Sequence, residues 1–250
     1  MAEDREIVND LLGYDGLKII QRTDMFHFSL DSTLLADFVH IPATAGTIMD
    51  FGTGNAPIPL FLSLKTDRRI IGVEIQPEVF DLARRSVELN HLESRIELIQ
   101  ADIKDLHRMF PPESVDIITC NPPFFRHRPE SNLNKNEYLT IARHEVLIDL
   151  EGILIQSSRL LSRKGRLFLI HRADRLEDVV RGLQQNDMAM KRLRFVYPKK
   201  GKDAISMLIE AKVHGNPGSL KLMEPLYVYT DSGEYSPEIL SIFRYGKKGS

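Results

Sequence analysis

Asn121-Pro122-Pro123-Phe124 stands directly after the apolar run Val115–Cys120, and its residue types suit the grip of one planar amino group. The Asn121 side-chain carbonyl can accept from one N–H of such a group and the Pro122 backbone carbonyl from the other. Proline lacks an N–H and fixes φ, so the Pro122-Pro123 step narrows the conformations that expose that carbonyl. Two acceptors would set the amino plane and aim the nitrogen lone pair at an electrophile. Phe124 could stack on the attached ring and Phe125 could close the pocket. The competing expectation is a proline-rich turn whose phenylalanines fill a core.

A second constellation, Asp50-Phe51-Gly52-Thr53-Gly54-Asn55, follows another short apolar run. Gly52 and Gly54 permit a tight turn and close approach of a ligand, and open α/β sheets bind ligands beyond the carboxyl ends of their strands. Asp50 can order this loop or reach an amino group on the ligand, with Thr53 and Asn55 beside it. The absence of a Gly-Lys-Ser/Thr ending argues against a phosphate-gripping P-loop, and the full dinucleotide fingerprint is missing too. Glu74, next to Ile75 at the end of another apolar run, can accept from both hydroxyls of a ribose. Asp102 follows Ile96–Gln100 and can meet an adenine amino group, with Ile103 lining the ring. Acids at strand ends also commonly cap the next helix, but three at three successive strand ends favour a nucleoside-bearing cofactor.

These residues need a scaffold that alternates strands and helices. Thr47–Phe51, Arg69–Ile75, Ile96–Ala101, Val115–Cys120 and Arg166–His171 read as strands. Pro57–Lys65, Pro77–Asn90, Glu137–Leu161 and Arg172–Gln185 carry helical spacing, although Gly152 threatens to interrupt the third. The alternation predicts a mostly parallel sheet covered by helices, and runs such as Ile70-Ile71-Gly72-Val73 fit burial on both faces. Arg194–Pro198 and Ala204–Val213 form a late antiparallel pair. Leu17–Gln21 and Met25–Phe28 make a ribbon, Ser29–His40 is a helix, and the tyrosines of Tyr227–Tyr229 and Tyr235 pack as a terminal hairpin and turn. The expected division is a covering ribbon and helix in 1–40, a core in 41–214 and a C-terminal extension in 215–250.

A chain of 250 residues, 42% apolar and 27% charged, can bury one full core as an ordinary soluble globule. It contains no run of about 18 apolar residues. The acidic opening Met1–Glu6 has no basic signal-peptide flank, and the single Cys120 suits a reducing cytosol, which together predict a cytoplasmic protein. His27, His127 and Cys120 show no compact spacing for a metal, so none is expected. The net charge of -2 argues against nonspecific coating of nucleic acid, yet Lys191–Lys202 collects six cations and no acid.

On these residues the chain resembles class I S-adenosylmethionine-dependent methyltransferases over about Leu17–Val213. It is most similar to the small-domain group with the bacterial tRNA adenine-N6 methyltransferases acting at position 37 of a valine tRNA. Asp50-Phe51-Gly52-Thr53-Gly54 resembles their cofactor loop, Glu74 their ribose acid, Asp102 their adenine-contacting acid and Asn121-Pro122-Pro123-Phe124 their amino-methylation motif. The resemblance implies a three-layer Rossmann-like fold whose seven-stranded sheet ends in an antiparallel strand, S-adenosyl-L-methionine as cofactor, and structured RNA, in particular tRNA, as partner. Phe51 stands where leucine is commoner, and Asn55-Ala56-Pro57 replaces a Ser-Gly continuation. Met25–Ser32 is similar to the segment that covers the cofactor in this group.

The implied chemistry is methyl transfer to adenine N6 in an anticodon loop. Arg126, His127 and Arg128 follow the pocket and can meet adjoining phosphates, as can Lys199 and Lys200 in the later basic run. The alternative for each is a solvated surface turn. The same motif resembles that of protein glutamine-N5 methyltransferases, and DNA adenine or rRNA guanine N2 are further acceptors. A binder with an inert methyltransferase fold is the non-enzyme alternative. No obligate protein partner is expected.

Overall fold

In the computed structural model, residues 6–13, 15–23, 30–122, 150–215 and 218–247 are described. The short apolar runs become neighbours in one sheet. β3 (Thr47–Phe51), β4 (Arg69–Glu74), β5 (Ile96–Gln100), β6 (Val115–Cys120) and β7 (Leu161–Arg172) lie parallel in the order β5-β4-β3-β6-β7. β9 (Ser206–Val213) inserts antiparallel between β7 and β8 (Met188–Tyr197). These seven long strands match the expected sheet. Two-residue strands β10 (Lys221–Leu222) and β11 (Leu226–Tyr227) add to β8, which makes nine strands.

Side chains on alternate positions feed two cores. Ile48 and Ile70 pack with α1 (Leu30–Phe38), α2 (Pro57–Ser63), α3 (Pro77–Leu89) and α6 (Pro237–Phe243). Met49, Phe51, Ile71 and Val73 pack on the opposite face with α4 (Leu150–Leu160) and α5 (Leu176–Gln185). Period-2 alternation with apolar residues on both faces is what a sheet sandwiched between helices demands. Prolines open α2, α3 and α6, where the first helical N–H has no intrahelical partner to lose.

Several boundaries differ from expectation. Gly152 lies inside α4, and the helix ends at Leu160 because Leu161 already pairs with Val115 in β7. The N-terminal ribbon pairs β1 (Glu6–Asp10) with β2 (Lys18–Arg22), so the partner of Leu17–Gln21 is a polar upstream segment. Met25–Phe28 lies outside the described residues. Side chains of α3 and its C-terminal cap satisfy the backbone of β2: Asn90, just past the helix, accepts from Lys18 N at 2.8 Å and Ser86 Oγ from Ile20 N at 3.0 Å. Tyr229 does bridge Tyr235 in antiparallel fashion.

One buried charge cluster fastens α1 to the sheet. Glu210, in the middle of β9 and 1% exposed, accepts from Arg166 of β7 and Arg192 of β8. Arg192 also donates to the Phe38 carbonyl at 3.0 Å and lies 4.3 Å above the Phe38 ring. Lys65 completes the same helix end by donating to the carbonyls of Ala36, Asp37 and Val39. Burial pushes its pKa down.

Candidate active site

Parallel register decides what meets at the sheet edge. Phe51 is level with both Cys120 and Val73, so the segments that follow β3 and β6 leave adjacent strands, about 4.8 Å apart. Glu74 is level with Gln100, which places Asp102 just beyond the end of β5. Asp102, Glu74, Gly52–Gly54 and Asn121 therefore follow one another along a single carboxyl edge, in the strand order β5, β4, β3, β6.

The glycine loop is held from the neighbouring strand. Gly52 and Gly54 have φ of 64° and 60°, conformations that side-chain-bearing residues adopt only at a cost. Thr53 N donates to the Val73 carbonyl at 2.8 Å, and Gly54 N donates to Glu74 Oε2 at 3.0 Å. The other carboxylate oxygen of Glu74 accepts from Gln76 N at 2.9 Å. Burial pushes the Glu74 pKa up while these backbone N–H groups oppose it. The Ile75 backbone N–H and the Gln76 side chain also lie within hydrogen-bonding reach of this carboxylate. Beyond Gly54, a Cβ would meet nothing within 4 Å, so the loop faces open space. Ile75, next to Glu74, is half-buried.

Asn55 behaves differently from a ligand contact: its side-chain N–H donates to the Ile20 carbonyl at 2.8 Å, tying the loop to β2. Ala56 then takes a left-handed conformation with φ 72° immediately before Pro57 opens α2. This is the local path of the Asn55-Ala56-Pro57 departure, and it stores roughly 1–2 kcal/mol of backbone strain beside the loop.

Asp50 is 1% exposed and accepts from the Thr119 hydroxyl at 2.6 Å through Oδ1. Its Oδ2 and the hydroxyl oxygen of Thr53 are buried close to each other, away from other donors and acceptors. Burial pushes the Asp50 carboxyl up to about 7, against the pull of Thr119 and Thr53. Between the unfolded carboxylate range and that value, the folded chain keeps a proton that the unfolded chain releases. Stability from this group is thus lost as pH rises from about 4 to about 7, by up to ~4 kcal/mol. Urea midpoints should show wild type losing ground to Asp50→Asn between about pH 4 and about pH 7. Parallel pH dependence in the two proteins would contradict the assignment.

Asp102 accepts from Lys104 N at 2.8 Å through Oδ1, capping the 3-10 turn Ile103–Arg108, and Ile103 is 5% exposed. The capping expectation and the ligand expectation are compatible, since Oδ1 alone is engaged by the cap. Asn121 donates from Nδ2 to Ser32 Oγ of α1 at 2.9 Å, and that engagement leaves Oδ1 as the acceptor at the edge. Ser32, 5% exposed, ends the Met25–Ser32 segment expected to cover the cofactor, and its bond to Asn121 is the contact that sequence reasoning missed. Pro122 is buried, whereas Pro123, Phe124, Phe125, Arg126, His127 and Arg128 lie outside the described residues.

Of the basic run, Arg192 pairs with Glu210 and Arg194 makes a bidentate pair with Glu238, at 2.7 and 2.9 Å. Lys199 and Lys200 sit in the turn after β8, at the same carboxyl edge as Asn121 but on a distant strand. Arg172 and Arg175 are ion-paired with Asp174 and Asp178. Cys120 is fully buried with its thiol pKa pushed up, as expected of a packing residue. Among the described residues no group of His, Cys, Asp and Glu has metal-binding geometry, and no helix is long and apolar enough to cross a membrane.

A family model described as a methyltransferase domain matches residues 43–213. A protein of Porphyromonas gingivalis strain W83, called tRNA1(Val) (adenine(37)-N6)-methyltransferase, is 29% identical over 248 residues, covering 93% of this chain and 93% of its own length. Its namesake in strain ATCC 33277 is 30% identical over 205 residues, 78% of this chain and 76% of its own. The crystal structure of a predicted O-methyltransferase from Agrobacterium tumefaciens aligns with a TM-score of 0.66 at 20% identity, covering 88% of this chain and 98% of that one. At that identity the likeness speaks for the fold alone.

Proposed function

Since the chain belongs to the methyltransferase-domain family, together with the tRNA1(Val) (adenine(37)-N6)-methyltransferases, we propose that it methylates N6 of an adenine in the anticodon loop of tRNA. The observation that carries this reading is the orientation of Asn121. Its amide nitrogen donates to Ser32 Oγ, which leaves the carbonyl oxygen as the side chain's acceptor at the end of β6, one strand from β3 and its glycine loop.

The described residues fit S-adenosylmethionine. Open space lies beyond Gly54, and the Glu74 carboxylate, fixed by the Gly54 and Gln76 backbone N–H groups, stands beside it. Glu74 would hold the ribose hydroxyls, Asp102 the adenine amino group with Ile103 under the ring, and the Gly52–Gly54 backbone would permit close approach. When bound, the sulfonium supplies an electrophilic methyl carbon.

This chain's own residues then align the attack. Asn121 Oδ1 and the Pro122 carbonyl accept the two N6 hydrogens, direct the nitrogen lone pair along the edge, and stabilise positive charge as it develops on that nitrogen. No strong base is needed beforehand, because the proton leaves after the nitrogen has become cationic. In this reading Pro123 would stiffen the motif, Phe124 and Phe125 would stack on and enclose the base, and Arg126 and Arg128 would meet its neighbouring phosphates. An unpaired loop base reaches such a pocket without the cost of opening a duplex. The 41–214 core carries this chemistry, with 1–40 covering it and 215–250 packed on the sheet edge, and the protein acts in the cytoplasm.

Purified protein with labelled cofactor, offered unmodified tRNA, ribosomal RNA and a total protein extract, should label tRNA. Label confined to a protein glutamine or to ribosomal guanine would overturn the substrate assignment.

A further inference from the structure

The edge that carries Asn121 continues across β7 and β9 to β8, and two unassigned features stand at its far end. The first is the turn after β8. Lys202 N donates to the Lys199 carbonyl at 3.2 Å and Gly201 has φ 74°, which is a four-residue turn with glycine at the position requiring positive φ. It fixes Lys199 half-buried, with Lys200 and Lys202 exposed, and none of the three has an ion pair among the described residues.

The second is a row of tyrosines beside that turn. Tyr197 at the end of β8 and Tyr227 of β11 are level in register, with ring centroids 5.6 Å apart. Tyr229 N donates to the Pro198 carbonyl at 2.8 Å, and its ring stacks on Tyr235 at 5.2 Å. Val228 is turned inward at 3% exposure, whereas Tyr227, Tyr229 and Tyr235 are 36%, 39% and 39% exposed. Three aromatic rings, each packed on another ring but with over a third of its surface in solvent, stand next to three lysines without an ion pair among the described residues. Together they have the chemistry of a single-stranded nucleic-acid platform: bases stack and phosphates pair.

Position agrees with chemistry. From β6 to β8 is three strand spacings, about 14 Å. Cys120 is level with Leu169, and β7 continues to Arg172, which is level with Ser206 and thereby with Val196. Asn121 is one residue past Cys120, so Val196 stands about 7 Å beyond the Asn121 level and the lysine turn, three residues later, stands farther out, as a wall beside the crevice. The cofactor residues occupy the other half of the edge. Asp231 and Glu234 lie between Tyr229 and Tyr235, whereas the Tyr197 end carries three lysines against one acid, Asp203, so the net positive charge is concentrated there. That polarity orders the surface, with phosphates at the lysines and bases along the rings.

We propose that the Lys199–Lys202 turn and the Tyr197–Tyr227–Tyr229 row form the docking surface for unpaired RNA nucleotides flanking the methylated base. The proposal rests on the reading of the chain as an RNA methyltransferase and adds where the RNA lies. Its test uses the full chain and an unmodified tRNA transcript, with affinity measured across a salt series.

A triple Lys199→Ala, Lys200→Ala, Lys202→Ala variant should weaken binding and flatten the slope of log affinity against log salt by about two. Tyr227→Ala or Tyr229→Ala should weaken binding by about 5- to 100-fold with an unchanged slope. Tyr229→Phe, which keeps the ring, should retain affinity. Unchanged S-adenosylhomocysteine binding in each variant separates these effects from misfolding. Wild-type binding and methylation of tRNA with variants equal in affinity and slope would overturn the docking surface alone. Loss confined to binding of a polyglutamate peptide, with tRNA binding intact, would overturn it in favour of an acidic protein partner. A wild type that neither binds nor methylates any RNA would overturn the functional reading, and this proposal with it.

Discussion

Asn121→Ala should lower the rate of methyl transfer by about 10²–10³-fold while the cofactor dissociation constant stays nearly unchanged. That magnitude is typical of removing one preorganised group aimed at developing charge. The side chain leaves the edge beside the glycine loop and is braced by Ser32 at 2.9 Å, so its carbonyl is set before substrate arrives. The cofactor residues leave β3, β4 and β5, and Glu74 and Asp102 are held by backbone N–H groups of their own loops, which is why ground-state cofactor binding should survive. Single-turnover kinetics with saturating tRNA, beside titration with S-adenosylhomocysteine, separates the two quantities. Equal losses in rate and cofactor affinity would mean that Asn121 supports the crevice and does not hold the reacting nitrogen.

Glu210→Ala should destabilise the fold by ~3–5 kcal/mol, lowering the melting temperature by on the order of 10 °C. The Glu210 side chain is 2% exposed and faces Arg166 and Arg192, whose side chains are 32% and 24% exposed. Removing the carboxylate leaves two cations beside a low-dielectric core with no counter-charge. Arg192 is also the contact between β8 and the carbonyl and ring of Phe38, so the loss extends to α1. Because α1 carries Ser32, activity should fall before global unfolding. Joint replacement by Arg166→Met, Glu210→Leu and Arg192→Met should cost less than Glu210→Ala, since no charge is then stranded. Thermal unfolding within about 1 kcal/mol of wild type for Glu210→Ala would contradict this account of the cluster.

The strands that build the edge were legible because each is a short apolar run, and the acids that punctuate them fall where the chain leaves the sheet. Glu74 and Asp102 took their expected places for that reason. The missed contacts are those set by a distant partner. Ser32 is one polar residue in a helix of modest amphipathicity, and nothing local announces that it meets Asn121. Glu210 gave a fainter signal: a lone acid between Ile209 and Ala211 in a buried strand requires cations on the flanking strands, as Arg166 and Arg192 prove to be.

The basic run shows the same limit from the other side. Composition counts Arg192 and Arg194 with the lysines, but pairing to Glu210 and Glu238 removes them from the free charge and leaves the turn at Lys199–Lys202. Asn55 likewise sits in the expected loop, while its side chain turns to Ile20 because β2 passes there. The ribbon's true partner, Glu6–Asp10, escaped because Glu-Ile-Val-Asn-Asp is too polar to read as a strand.

The whole account depends on cofactor and acceptor nitrogen sharing one crevice at the ends of β3 to β6. A crystal structure with S-adenosylhomocysteine and an adenosine-bearing oligonucleotide measures this directly. The expected result is adenine N6 within about 3 Å of both Asn121 Oδ1 and the Pro122 carbonyl, with the cofactor ribose on Glu74. An N6 turned away from Asn121, or a ribose bound elsewhere than Glu74, would contradict it.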